Sequence, residues 1–242
     1  MSRSQQCKVY LMGLLLLIPM SVMAEWEDAM GWLGSVEFGA ALSTGNTDSS
    51  NLNAKGRVQF QNEQWRNRAS LDVVQRSEDK STTQERYLLQ LQADRRLSAN
   101  DYLFSAFRND KDRFSGYDYQ RSLSAGYGRR LINTDRTSLE VEAGPGVRQN
   151  KKPNESSQNE AVVRGAAQFR HQISDSARFG EELVIISGSD NTEIDSTTSL
   201  RLAITDVLAA RFAVNIKYNS RVSEGRSKTD TVTTMNLVYD FW

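Results

Sequence analysis

Cysteine, histidine and proline are scarce in this sequence, and the scarcity excludes several kinds of site. The only cysteine among 242 residues is Cys7, so the rest of the chain contains no disulfide, thiol nucleophile or cysteine-bound metal. The only histidine, His171, has no second histidine or cysteine with which to bind a transition metal, and no motif aligns it with a nucleophile and an acid. The sequence therefore predicts a protein without cofactor, metal or enzymatic activity.

Long apolar runs are missing after the N-terminus. The mean hydropathy is −0.56 and 25% of the residues are charged, so no later segment is apolar enough to cross a membrane as a helix. The absence of long apolar runs does not exclude membrane-spanning strands, because only every second residue of such a strand faces lipid. Thirty basic and 30 acidic residues leave no net charge, so the charge balance does not suggest a nucleic-acid partner.

The N-terminus has the pattern of a secretory signal peptide. Arg3 and Lys8 make its start basic, and Leu11–Ile18 is an apolar run too short to span a membrane. The residues that follow, Val22–Ala24, have the pattern of a small-residue cleavage site. We predict that residues 1–24 are a signal peptide; the alternative is a short N-terminal membrane anchor.

The last segment of the chain, Thr229–Trp242, alternates between two kinds of side chain. Leu237, Tyr239 and Phe241 share an apolar face, and most residues between them are polar. A period of two is the pattern of a strand with one apolar face. A last strand that ends on aromatics is similar to the signal by which outer-membrane barrels are recognised by the barrel-assembly machinery, although here one residue follows Phe241.

The same alternation recurs about twelve times along the chain. In the second such segment, Leu52 and Val58 lie on one face, and Lys55 and Arg57 lie on the other. The pattern predicts an all-β fold in which residues 25–242 form a transmembrane antiparallel β-barrel of about twelve strands, with both termini in the periplasm. The charges expected to line its lumen are Arg57, Arg68, Arg86, Glu140, Glu142, Arg164, Arg201 and Arg211.

Three segments depart from this regularity. The fifth begins with Tyr102 and Phe104 on its expected apolar face. Leu103 and Phe107 fall on the opposite face and are also apolar, so the two faces of this segment are hard to distinguish. In the ninth, Glu181 falls on the apolar face of Leu183. In the seventh, Pro145 has no N–H for the ladder, so we expect a bulge or local kink there.

Connections alternate between tight links and longer polar segments, and barrels of this class place the longer loops outside the cell. The longer segments are STGNTDSSN, RSEDKSTTQ, NDKDRFSG, QNKKPNESSQ, GSDNTEIDS and SRVSEGRSKTD. Aromatic girdles are expected at both membrane interfaces. The inner girdle would contain Trp32, Phe60, Trp65, Tyr102, Tyr127, Phe169, Phe179, Tyr239 and Phe241, and the outer girdle Tyr87, Tyr117, Tyr119 and Tyr218.

The predicted lumen contains charges of both signs. About twelve strands tilted near 45° give a barrel roughly 25 Å across, and long side chains that point inward would fill much of that width. Opposite charges are expected to pair, because an unpaired charge in a confined space is costly. No loop is long enough to form a large plug. The lumen is therefore either a narrow polar path or closed by its own ion pairs.

Acidic segments occur at Asp110–Asp112 and Gly188–Asp195. They contain carboxylates of the kind that bind Ca²⁺, but they lack the residue order of an EF-hand. A solvated loop without metal is therefore the prediction for both. Lys151–Pro153 adds positive charge to another predicted loop. This charge is expected to be solvated, and the alternative is a contact with lipopolysaccharide.

Three segments carry a family resemblance: GAALSTGNTDSSNLNAKGRV, EAGPGVR at 142–148, and NLVYDF near the end. They resemble the salt-induced outer-membrane proteins, whose shared domain is catalogued as domain of unknown function family 481. The resemblance runs from about Trp32 to the C-terminus. It implies a single outer-membrane barrel linked to salt or osmotic stress, and it supplies no catalytic residues.

Four functions stay open at this point. The first is a structural or stress-related protein of the outer membrane with an occluded lumen, and the second is a porin-like channel for small charged solutes. The others are an outer-membrane enzyme and a soluble periplasmic β-domain. The expected partners are outer-membrane lipid, lipopolysaccharide, the barrel-assembly machinery and, for a channel, small solutes.

Overall fold

The computed structural model describes residues 30–43, 49–78, 81–113, 117–222 and 227–241. Within these ranges the chain forms twelve antiparallel strands, each paired with its neighbours in sequence, and the last strand closes on the first. The prediction of an all-β barrel with about twelve strands is confirmed. The predicted signal peptide, Trp242 and residues 44–48 of the segment GAALSTGNTDSSNLNAKGRV lie outside the described residues.

The strands are β1 (Gly31–Ser43), β2 (Ser49–Gln61), β3 (Trp65–Glu78), β4 (Ser81–Arg96), β5 (Asp101–Asp112), β6 (Tyr119–Asn133), β7 (Thr137–Lys151), β8 (Gln158–Ser174), β9 (Ala177–Gly188), β10 (Thr192–Ala203), β11 (Leu208–Asn219) and β12 (Thr229–Phe241). No helix in the described part of the chain is long and apolar enough to cross a membrane.

Several predicted loops are in fact the ends of strands. The segment RSEDKSTTQ belongs mostly to β3 and β4, which leave only residues 79–80 between them, and β9 and β10 leave only residues 189–191. Backbone pairing needs no apolar side chains, so a strand continues where the alternation of apolar residues has already ended. Strand lengths of 12 to 17 residues follow from this extension.

The predicted assembly residues lie at the closure of the barrel. Leu237, Tyr239 and Phe241 of β12 stand opposite Phe38, Val36 and Gly34 of β1. The barrel therefore begins and ends at the same rim, which we call the terminal rim. The opposite rim, where the longer loops lie, is called the loop rim.

The outer surface of the barrel is a band of exposed apolar side chains. Its members include Val36, Leu52, Leu71, Leu91, Leu123, Val147, Val163, Phe212, Ile216 and Leu237. An apolar surface that continues around a whole protein is an aggregation hazard in water. It is the surface that a barrel presents to lipid.

Aromatic side chains concentrate near the terminal rim. The rings of Trp32 and Phe60 are 5.0 Å apart, and those of Phe169 and Phe179 are 6.2 Å apart. Two members of the predicted girdles were assigned wrongly: Tyr102 and Tyr117 are buried, and Tyr117 precedes β6.

The two faces of β5 are the reverse of the prediction. Tyr102 and Phe104 are 5% and 3% exposed and point into the barrel, whereas Leu103 is 47% exposed on the outer surface. Polar partners inside the barrel explain the inward orientation. The guanidinium of Arg164 lies 4.8 Å from the centre of the Phe104 ring, and the Tyr102 hydroxyl lies 3.0 Å from Glu140.

Glu181 points outward with Leu183, as the alternation of β9 predicts. Its carboxylate accepts hydrogen bonds from the hydroxyls of Ser196 at 2.7 Å and Thr198 at 2.5 Å, both on β10. These two bonds provide partners for a charge that lies on an otherwise apolar surface.

Pro145 interrupts the ladder between β6 and β7 without producing a bulge. Ser124 stands opposite Gly146 and Tyr127 opposite Ala143, so the pairing resumes in the same register. Of the two outcomes expected at Pro145, the bulge is therefore wrong, and the local kink stays a prediction. Gly144 and its partner on β6, also glycine, let the two backbones approach closely at this point, which accommodates the proline.

Candidate functional site

The interior of the barrel is filled by charged side chains rather than by open space. Arg66, Asp110, Glu140, Arg148 and Glu193 all point inward and are all buried. Charges that lined a wide aqueous pore would be exposed to water. The geometry of their ion pairs therefore determines what the lumen can admit.

The first group, called the β3–β7 cluster, lies near the terminal rim and consists of Arg66, Arg68, Asp94, Arg130, Glu140, Glu142 and Arg164. Arg66 on β3 donates two hydrogen bonds, at 2.9 and 2.7 Å, to Glu140 on β7. Its Nε donates to Asp94 at 2.8 Å, and Arg130 donates to Glu140 at 2.9 Å. A bidentate guanidinium–carboxylate pair is a geometrically specific contact.

Gly128 makes room for a tyrosine within this cluster. The Tyr102 hydroxyl lies 3.0 Å from Glu140 and 3.1 Å from Glu142. An added Cβ on Gly128 would lie 2.3 Å from the Tyr102 ring. A side chain at this position would therefore displace the ring and its hydroxyl.

Replacing Gly128 with alanine is expected to lower the free energy of unfolding by about 1–3 kcal/mol, the usual cost of overpacking. The matched control is Gly56→Ala, because an added Cβ there meets nothing within 4 Å. That control should leave stability unchanged or raise it by up to about 1 kcal/mol. Urea unfolding in lipid vesicles measures both, and equal losses would contradict the assigned role of Gly128.

The second group, called the β5–β10 cluster, lies nearer the loop rim and consists of Arg86, Arg108, Asp110, Glu193, Asp195 and Lys217. Arg108 on β5 donates to Glu193 at 2.9 Å and also to Asp195, both on β10. Lys217 on β11 donates to Asp110 on β5 at 2.8 Å. Strands from opposite walls are thus joined across the interior.

This cluster corrects the prediction of solvated acidic loops. Asp110, Glu193 and Asp195 are parts of strands, and their carboxylates offer oxygens within 4.8 Å of one another. Arg86, Arg108 and Lys217 occupy the space around them, so cations of the chain already neutralise this group. We therefore assign no metal site to it.

The third group, called the seam cluster, lies beside the closure of the barrel and consists of Glu37, Lys55, Arg57, Asp72, Glu182 and Arg211. Arg211 donates to Glu37 at 3.1 Å. Lys55 lies 2.5 Å from Asp72 on the neighbouring strand. Arg57 is more loosely placed, 3.6 Å from Glu182.

Seven of the eight charges expected in the lumen are distributed over these groups, and the eighth, Arg201, lies outside them. Arg68, Glu140, Glu142 and Arg164 belong to the β3–β7 cluster, Arg86 to the β5–β10 cluster, and Arg57 and Arg211 to the seam cluster; Arg201 pairs with Asp240. Sequence reasoning missed the inward roles of Tyr102, Arg108 and Glu193. Phe104, Arg108 and Asp110 share one face of β5 by the period of two. This alternation could have predicted that Arg108 and Asp110 point inward together.

A cavity of about 140 Å³ remains among these side chains. Its lining includes Arg68 and Glu142 from the β3–β7 cluster, Arg108 from the β5–β10 cluster and Glu182 from the seam cluster. The cavity thus lies where the three clusters meet, in the middle of the lumen.

His171 lies apart from this interior. Its Nδ1 is 2.9 Å from the hydroxyl of Thr137 on the adjacent strand. Both residues are near the terminal rim, and the pairing is a cross-strand contact of the barrel wall.

Two solved structures are similar to this chain, and the first of them supports the barrel architecture. The NanC porin matches 87% of this chain and 100% of its own, with a TM-score of 0.54 and 10% identity. The translocator domain of the autotransporter NalP from Neisseria meningitidis matches 90% of each chain, with a TM-score of 0.49 and 10% identity. At this identity the similarity to NanC concerns the fold alone.

Comparison of sequences identifies the family. The chain is 29% identical over 209 residues to the uncharacterized protein YdiY of Escherichia coli strain K12, covering 85% of this chain and 82% of that protein. A family model described as a protein of unknown function, DUF481, matches residues 36–241. This match spans nearly all of the described barrel, and the chain belongs to the DUF481 family.

Proposed function

We propose that the chain is an outer-membrane β-barrel protein of the bacterial envelope whose lumen is closed to bulk ions by its own ion pairs. The closed barrel and its continuous apolar outer surface support the membrane location. An even number of strands and the shared terminal rim support periplasmic termini after removal of the signal peptide near Ala24. We propose that the chain is not an enzyme.

The observation that carries this proposal is that the ion pairs run across the lumen. Lys217 on β11 and Asp110 on β5 are 2.8 Å apart, although their strands are six positions apart in a ring of twelve. Arg66 and Glu140 join strands four positions apart. A permeating ion would have to separate such pairs, and leaving a buried charge without its partner is strongly unfavourable.

Conductance in planar lipid bilayers tests the closed lumen directly. The mature chain, refolded and shown to be folded by its heat-modifiable migration in gels, should insert without producing steady current steps. Stable steps that grow with salt concentration would overturn closure. They would support the second candidate, a channel for small charged solutes.

A charge placed on the outer surface tests the contact with lipid. Leu71 is the seventh of the 14 residues of β3 and points outward. The substitution Leu71→Arg should lower the free energy of unfolding in vesicles by about 2–4 kcal/mol, because it places a charge near the middle of the bilayer. Gln75→Arg, nearer the loop rim on the same face, should cost about 0–1 kcal/mol. Equal costs would argue against a lipid-spanning band.

We further propose that Leu237, Tyr239 and Phe241 are recognised by the barrel-assembly machinery, and that lipid and lipopolysaccharide surround the folded barrel. Their place at the closure of the barrel supports this role. The link to salt or osmotic stress rests on the family resemblance. Comparing a deletion strain with its parent in high and low salt tests it; equal growth and equal expression in both media would contradict it.

A further inference from the structure

Three basic side chains surround one tyrosine on the outer surface of the barrel, near the loop rim. Tyr119 and Arg121 are successive outward residues of β6, and Lys151 on β7 stands opposite Tyr119. Lys111 on β5 lies on the other side of Tyr119, one residue beyond the last pair of the β5–β6 ladder. Residues that alternate with them, such as Gln120, are buried and point inward. We call Lys111, Arg121 and Lys151 the outer basic cluster.

The side chain of Arg121 is held in place while part of its guanidinium stays free. Its Nε donates to Asn109 Oδ1 on the neighbouring strand at 2.8 Å, and its guanidinium carbon lies 4.1 Å from the centre of the Tyr119 ring. Within the described residues, Nη1 and Nη2 of Arg121 make no hydrogen bond. These two nitrogens of a guanidinium form a planar fork that fits the oxygens of a phosphate.

No carboxylate in the described part of the chain forms an ion pair with the outer basic cluster. Lys151 Nζ donates to the backbone carbonyl of Glu155 at 2.8 Å, which leaves its charge without an acidic partner. By contrast, Arg113, near the same rim, lies 3.2 Å from Glu85. Three positive charges close together and without acidic partners favour an anionic molecule at this place.

The surface between the cluster and the middle of the strands is apolar. Leu123, the outward residue of β6 that follows Arg121, is 52% exposed. The next outward residue, Ala125, stands opposite Ser105 on β5, and both are exposed. These small side chains leave a recess beside the larger Leu123, roughly 13 Å from Arg121 at about 3.3 Å per residue along the strand. A molecule that fits this surface therefore has an anionic head and apolar chains.

We propose that the outer basic cluster binds the phosphate groups of lipopolysaccharide, and that its acyl chains lie over Leu123 and the recess at Ala125. Lipopolysaccharide carries several phosphates and several acyl chains in one molecule. Phosphatidylethanolamine is a poorer fit, because its own ammonium group already neutralises its phosphate. This inference rests on the membrane location and on the outward position of the loop rim proposed above.

Native mass spectrometry of the folded mature chain in detergent micelles tests the site, with purified lipid A as the probe. Replacing Lys111, Arg121 and Lys151 with glutamine should weaken lipid A binding about 100-fold, because each basic residue near an anionic lipid surface contributes roughly fivefold. Folding of the variant is checked by heat-modifiable migration in gels. Arg121→Gln alone should weaken binding about fivefold, and this variant decides the question if the triple variant does not fold.

The matched control makes the same change of charge at the opposite rim. Arg95→Gln, Arg129→Gln and Arg136→Gln together remove three exposed cations near the terminal rim. Because these positions are far from the outer basic cluster, this variant should bind lipid A as tightly as the unmodified chain does.

Two further probes separate the possible sources of phosphate. Phosphatidylglycerol has acyl chains but only one charge, and inorganic phosphate has no acyl chains. Both should bind at least about tenfold more weakly than lipid A, because each engages fewer cations or none of the apolar surface.

Lipid A binding that the triple variant weakens and the terminal-rim variant does not would support the site. Absence of lipid A binding, equal effects of the two variants, or equally tight binding of phosphatidylglycerol or inorganic phosphate would overturn it. The membrane location is tested separately by Leu71→Arg and Gln75→Arg. If those two differ in cost as expected and lipid A does not bind, this site alone fails, whereas equal costs overturn the membrane location as well.

Discussion

Replacing Glu140 with glutamine is expected to lower the free energy of unfolding by about 3–5 kcal/mol, the cost of removing one partner from a buried ion pair. Glu140 accepts two hydrogen bonds from Arg66 and one from Arg130. Its side chain is 3% exposed, so water cannot replace the lost charge. Two guanidiniums would be left to compete for Asp94 and the remaining carboxylates.

Urea titration of the barrel in vesicles, followed by tryptophan fluorescence, measures this loss. The matched control is Glu85→Gln, because Glu85 pairs with Arg113 at 3.2 Å on the exposed loop rim. An exposed pair contributes about 0–1 kcal/mol. If Glu140→Gln costs no more than Glu85→Gln, the interior is wetter than the packing of the β3–β7 cluster indicates.

Removing two crossing ion pairs together is expected to convert a silent barrel into a conducting one. The variant replaces Arg108, Asp110, Asp195 and Lys217 with serine, which removes two charges of each sign. The long side chains that cross between β5, β10 and β11 are then gone, while the net charge is unchanged. The expected result is steady current steps in planar bilayers where the unmodified chain shows none.

The control for this variant is the pair Lys55→Ser and Asp72→Ser. These residues are 2.5 Å apart on neighbouring strands, so their ion pair runs along the wall rather than across the lumen. Removing it keeps the net charge and should leave the bilayer silent. Conductance from the control alone would contradict closure by crossing pairs. Silence from the fourfold variant in a barrel shown to be folded would mean that the crossing pair of Arg66 and Glu140 closes the lumen without the β5–β10 pairs.

The alternation of side chains along each strand predicted much of the barrel wall. The alternation at Leu237, Tyr239 and Phe241 identified β12 and its outward face, because a strand places successive side chains on opposite sides. The same rule failed at Tyr102 and Phe104. Both faces of β5 carry apolar residues, so alternation could not choose between them, and polar contacts inside the barrel decided the orientation.

Loop positions were harder to predict than strands. A sequence rich in charge and serine, such as RSEDKSTTQ, is typical of a turn, yet Arg76–Glu78 of this segment still pair with residues at the start of β4. Pairing by N–H and C=O groups is largely independent of side-chain polarity once a strand has begun. The acidic residues near Asp110 and Glu193 were therefore expected in solvent and are instead found inside the barrel.

By itself, the order of residues determined that this chain has alternating faces, about twelve strands and an interior with charges of both signs. These are local properties, since each depends on neighbours one or two positions away. Only the tertiary structure decided which charges meet, because Lys217 and Asp110 are 107 positions apart in sequence and come together only when the sheet closes. The closure that we propose for the lumen and the cavity at its centre both depend on that geometry.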